Sequence, residues 1–330
     1  MTDVIESGGW VRAENVGLPL GIHDLTYLNN IGLVVTDTPS GISERKYQCS
    51  INIDGVHWIP KKLLDPVQNI RLLKTDKDLI MVGVLDNQMV VYKSITGIFW
   101  EKSYTSDIQV TSSNKCRTRV LFGTSFVLLR GLFFHSSDLS VWRFTKFSEE
   151  YSSYDVLDIT YYQGVYYYLL SNGDRCIIAS GKNENQISYY KFNSNFIPAS
   201  ISSNDEYLII LGGYEDNFYL SYSKTGLSGD WSEIKFKPKN SHEKGESSLS
   251  DAIYYKDNWE IVGYHSHWNS IRTSLISYRG LVYTISKDFS SISEHFLQVP
   301  DLKRIYLHND KLYALGDGLP NGNAYLLIKE

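Results

Sequence analysis

Short apolar runs of strand length alternate with polar breaks along nearly the whole chain. NIRLLKT, DLIMVGVL, MVVYKS and IFWEKSY follow one another between residues 69 and 104, with Asp, Asn, Gly or Lys at the breaks. Runs of this length with β-branched and aromatic residues predict strands, and the polar breaks predict tight turns. Some runs, such as YLIILGGY over residues 207–214, are apolar without alternation. That pattern belongs to a strand covered on both faces.

The strands are organised by a repeat. A polar turn followed by Trp recurs in NIDGVHW, SITGIFW and SSDLSVW, placing Trp58, Trp100 and Trp142 forty-two residues apart. The phrase returns with a longer turn in SKTGLSGDW, ending at Trp231, and with Tyr in SYRGLVY, ending at Tyr283. Tyr189 and Trp10 extend the aromatic series by position, to seven members. Within the phrase, Asp54 or Asp138 is placed to bond nearby backbone amides, and Gly55, Gly97, Gly226 and Gly280 to accept a positive φ. A first-strand phrase also repeats: HDLTYL, LDITYY, SDAIYY and KRIYL, with Tyr27, Tyr161, Tyr254 and Tyr306 at its core. Four strands in about forty residues make one propeller blade.

The two ends of the chain complement each other. The last segment supplies three strands and no aromatic fourth, whereas ESGGW supplies an aromatic strand with nothing before it. The expected fold is therefore all-β: one seven-bladed β-propeller domain over residues 1–330, closed by the N-terminal strand completing the last blade. The blades are expected near residues 22–64, 68–104, 117–150, 154–195, 197–237, 250–289, and 300–330 completed by 5–16.

The turn phrase resembles the Asp-box of sialidase-like (BNR) propellers, Ser-x-Asp-x-Gly-x-x-Trp, with one residue fewer between Asp54 and Trp58. In this shorter form it resembles the "DGxxW" propellers of bacterial surface and tailed-phage tail proteins. The resemblance implies a fold and a setting but no activity, because the motif serves the turn. A sialidase would need three arginines around a carboxylate. The Arg-Ile-Pro phrase that opens such domains is absent, since Arg12 precedes Ala13 and Arg304 precedes Ile305.

Composition narrows the function classes. A net charge of −5, with no polybasic run, gives little support to nucleic-acid binding. No apolar stretch reaches signal-peptide or membrane-span length, so the expectation is a soluble protein without membrane insertion, in a virion if phage-encoded and otherwise cytoplasmic. Three cysteines, Cys49, Cys116 and Cys176, lack metal or redox spacing and are expected as free thiols. No phosphate loop, dinucleotide fingerprint, nucleophile elbow or zincin motif occurs, and no cofactor or metal is implied.

Two places remain as candidates for ligand recognition. Asp24, Asp158 and Asp251 precede the repeated Tyr core and are expected near one mouth of the central channel. On the sixth blade, the polar insertion KPKNSHEKGESSLS is followed by Trp259, His265, His267 and Trp268, two Trp outside the repeat and two His on one strand face. The function expected is a non-catalytic binding or assembly module, docking to protein partners in a larger assembly or to a surface glycan. The alternatives are a glycosidase or lyase with its site at the channel mouth, and an intracellular interaction scaffold.

Overall fold

The computed structural model describes residues 7–13, 22–36, 49–54, 57–61, 67–110, 116–173, 175–183, 186–239, 245–268, 275–296, 299, 301–317 and 325–329. They form seven four-stranded antiparallel sheets, each a blade of a β-propeller. The chain divides into two compact units, residues 14–156 with 321–324, and residues 1–13 with 157–320 and 325–330. The first strand, β1 (Trp10–Arg12), belongs to the last blade and is taken up there.

The first of these units holds three blades. Blade 1 is β2 (Ile22–Leu28), β3 (Ile31–Thr36), β4 (Cys49–Asn52) and β5 (Trp58–Lys61). Blade 2 is β6 (Gln68–Lys74), β7 (Leu79–Leu85), β8 (Gln88–Ser94) and β9 (Glu101–Gln109). Blade 3 is β10 (Arg117–Leu121), β11 (Thr124–Leu129), β12 (Leu132–Ser136) and β13 (Arg143–Lys146). Second strands such as LIMVGVL are buried on both faces, as their unbroken apolar runs require. Their side chains interleave between blades: Leu73, Ile80 and Val91 of blade 2 share a cluster with Val127, Phe134 and Trp142 of blade 3.

The second unit holds four blades. Blade 4 is β14 (Asp155–Tyr162), β15 (Val165–Ser171), β16 (Cys176–Gly181) and β17 (Ser188–Phe192). Blade 5 is β18 (Ile197–Ser203), β19 (Leu208–Tyr214), β20 (Asn217–Ser223) and β21 (Ser232–Phe236). Blade 6 is β22 (Gly245–Tyr255), β23 (Asn258–Trp268), β24 (Leu275–Ser286) and β25 (Ile292–Phe296). Blade 7 is β26 (Asp301–His308), β27 (Lys311–Asp317), β28 (Tyr325–Lys329) and, as its fourth strand, β1. Trp10 pairs with Lys329 and is completely buried beside Val262, Leu302 and Leu327. No helix among the described residues is long and apolar enough to cross a membrane.

Blade 6 departs from the sequence expectation in two ways. Its first three strands run 11, 11 and 12 residues, so GESSLS is strand where a polar loop is expected. Gly280 and Tyr283 consequently lie inside β24, and SYRGLVY is not the turn between third and fourth strands. That turn is SKDFSS over residues 286–291, where Ser286, Asp288 and Ser290 make the turn bonds. The insertion broke the period, and position along the chain no longer located the turn.

Candidate functional site

The third-to-fourth-strand turns of blades 2, 3 and 5 share one geometry. The hydroxyl of Ser94 accepts from Gly97 N–H at 2.9 Å, Ser136 from Leu139 at 2.8 Å and Ser223 from Gly226 at 2.8 Å. The residue three after each Ser has positive φ: Gly97 at 73°, Leu139 at 58°, Gly226 at 67° and, after Ser286, Phe289 at 62°. Asp138 accepts from Ser140 and Val141 N–H, which holds its carboxyl below the usual range. Asp54 accepts from His57 N–H at 2.7 Å, and Gly55 lies outside the described residues. The aromatics that follow pack onto the preceding blade, Trp142 on Tyr104 and Trp231 on Phe192. Tyr189 lies in β17, and Trp58 and Trp100 pack at the starts of their fourth strands.

In blades 1 to 3 these turns carry apolar side chains into solvent. Ile53, Ile95, Ile98, Phe99 and Val141 are all exposed at the third-to-fourth turns, Phe99 to 83% and Ile95 to 71%. The turns stand side by side. A Cβ on Gly97 would lie 2.9 Å from Ile51 Cγ2 and 3.9 Å from Ile31 Cγ2 of blade 1, and Lys93 Nζ of blade 2 donates to Ser140 Oγ of blade 3. First-to-second-strand turns emerge at the same sheet end, and blade 3 adds Phe122 there, exposed to 80%. Phe122 has φ 49°, a region where the matching turns place Asn29, Gln163, Lys256 and Asn309. A bulky residue in that region costs about 1 kcal/mol.

The candidate aspartates take another position. Asp24, Asp158 and Asp251 are buried, and each accepts from the N–H of its own successor, Leu25, Ile159 and Ala252. The second carboxylate oxygen reaches the first strand of the next blade: Asp24 to Leu72 N at 2.9 Å, Asp158 to Ser200 Oγ at 2.6 Å and Asp251 to Ile305 N at 3.4 Å. Among the described pairings, first strands bulge just before this position in blades 1, 2, 5, 6 and 7. These acids, expected as ligand candidates near a channel mouth, have their carboxylates bonded within the fold, to backbone N–H groups and the Ser200 hydroxyl.

Trp259 is likewise a core residue and not a platform: it has no exposed surface and packs edge-on to Tyr254 at 5.2 Å. The alternation along β23 turns it toward blade 5 with Ile261. His265 is buried, its Nδ1 2.9 Å from Ser247 Oγ. The side chains of His267 and Trp268 lie outside the described residues. Among the described residues no group of three His, Cys, Asp or Glu is arranged to hold a metal ion. The exposed turn residues, Phe99 and Phe122 above all, escaped sequence reasoning. The available signal was an aromatic in a turn position where the sister turns carry polar residues.

No family model and no curated protein matches the sequence. Solved structures do share the architecture. The structure described as YCF48 bound to D1 peptide superposes with a TM-score of 0.66 at 13% identity, covering 100% of this chain and 99% of that one. A streptogramin B lyase gives a TM-score of 0.62 at 12% identity, covering 96% of each chain. A catalytically inactive variant of virginiamycin B lyase from Staphylococcus aureus, with quinupristin, gives 0.63 at 10% identity, covering 97% of this chain and 99% of that one. At such identities the likeness is one of fold, and the fold that this chain shares with them is the β-propeller.

Proposed function

We propose that this protein is a non-catalytic binding module that docks to a protein partner through the turn face of blades 1 to 3. The observation that carries the reading is Phe122, an exposed aromatic held at positive φ where a polar turn residue would serve the fold better. Phe99, Ile95, Ile98, Ile53 and Val141 are exposed at the same sheet end, and exposed apolar side chains gathered there are of the kind that partners cover. A propeller of similar fold bound to a peptide supports a protein partner. The turns' bonding supports kinship with the short Asp-box-like propellers, and the resemblance to tailed-phage proteins favours a virion tail, fibre or other surface as the setting, with a neighbouring virion protein as the partner.

The rival reading, a glycosidase or lyase working at the channel mouth, needs Asp158 or Asp251 open to substrate. Both are buried and bonded within the fold, which favours the binding module. Photo-crosslinking residues placed at positions 99 and 122 in the source cell or particle test the proposal. A discrete protein adduct at both positions, absent when the label sits at position 163, is the expected result. No adduct at 99 and 122, or the same adducts at all three, would overturn it.

A further inference from the structure

Blades 4 and 5, both in the second unit, enclose a groove of about 390 Å³ that has no part in the docking face. Its floor is the buried Cys176, Phe192, Phe196 and Pro198. Its rim carries Arg175, Lys191, Asn193, Asn195 and Tyr214, all exposed. No described lining residue is acidic, and neither Arg175 nor Lys191 forms an ion pair with a described residue. Elsewhere in the unit lysines face acids, Lys237 with Asp216, Lys287 with Glu206 and Lys329 with Glu260. Two cations with no described ion-pair partner in one groove of a protein of net charge −5 stand out against that background.

The groove walls are pinned. Arg175 N–H donates to Asn172 Oδ1 at 2.9 Å, and Gly173 N–H, at φ 97°, donates to Ser171 Oγ at 3.1 Å. On the other wall Ser194 Oγ donates to Phe196 O at 2.8 Å. These bonds fix the backbone that carries Arg175 and that leads into the floor at Phe196. The volume lies in the range of small-ligand pockets, about 300–1,000 Å³.

We propose that this groove binds an acidic oligosaccharide. Arg175 offers a planar fork for a carboxylate or sulfate, and Lys191 a second point charge. Asn193 and Asn195 supply the paired donors and acceptors that hydroxyls need. The half-exposed Tyr214 offers a ring face against the groove's open side.

Isothermal titration with trigalacturonate, a heparin-derived disaccharide, maltotriose and inorganic phosphate tests the site. An acidic saccharide binds, maltotriose does not, and Arg175→Ala with Lys191→Ala weakens binding at least tenfold while the melting temperature holds. Tyr214→Ala weakens the saccharide. Phe122→Asn leaves this binding unchanged, so the groove and the docking face stand or fall separately. Absence of binding by either acidic saccharide, undiminished binding by the folded double variant, or phosphate bound as tightly as the saccharide would each overturn the proposal.

Discussion

At the scale of single residues, the position three after each turn Ser shows how far side chains follow backbone demands. Gly226 meets two demands together: φ of 67°, and a Cβ site only 2.6 Å from the Tyr167 hydroxyl oxygen. Gly226→Ala is therefore expected to destabilise the fold by about 2 kcal/mol, read as a lowered denaturant midpoint. Leu139 accepts the same backbone geometry because its side chain is buried among Val127, Phe134 and Trp142. Phe289 compensates by stacking 4.4 Å from Tyr222. Phe122 takes the same φ region, at 49°, with its side chain 80% exposed. Phe122→Asn is expected to stabilise the isolated protein by about 1 kcal/mol while abolishing crosslinkable contact with the partner. A melting temperature that fell on this substitution would mean that the ring serves the fold.

At the scale of elements, the turn from β20 to β21 is gripped by tyrosines of blade 4. The Tyr162, Tyr167 and Tyr190 hydroxyls donate to the consecutive carbonyls of Lys224, Thr225 and Gly226, at 2.7, 3.3 and 2.6 Å. Burial pushes all three phenols above their usual value of 10.0. The folded protein thus holds these protons more tightly than the unfolded chain does. Their contribution is fully present below pH 10, and stability falls as pH rises beyond it. Denaturant midpoints measured from pH 8 to 11 are expected to stay level and then decline, with a shallower decline in Tyr190→Phe. An unchanged slope in that variant would remove Tyr190 from the account.

At the scale of the whole molecule, buried carboxylates join blade 1 to 2, 4 to 5 and 6 to 7, and the N-terminal strand completes the last blade. Asp158→Ala leaves the Ile159 N–H and Ser200 hydroxyl without their buried acceptor. The expected cost is about 3 kcal/mol, measured by chemical denaturation. Removing residues 1–12 withdraws Trp10 from the core of blade 7 and opens the edge of β28. Loss of a buried Trp alone costs about 3–5 kcal/mol, and an open edge invites pairing between chains. The truncated protein is expected to melt earlier and to elute from size exclusion as concentration-dependent oligomers. A monomer of unchanged melting temperature would contradict the role given to β1.

The sequence by itself determined the seven blades, their four-strand content and the sharing of the last blade between the chain ends. These features are local: a blade is built within about forty contiguous residues, and apolar runs, polar turns and the aromatic phrase all register within that span. Tertiary structure decided what lies between blades. The direction in which Trp259 points depends on strand parity and on which neighbour covers each face. The task of Asp24, Asp158 and Asp251 depends on a backbone N–H or hydroxyl more than forty residues away. The turn of blade 6 moved because its strands lengthened together, as a sheet requires. The groove beside Arg175 and Lys191, and the row of exposed turn residues from Ile53 to Val141, exist only because successive blades bring distant short segments into one surface.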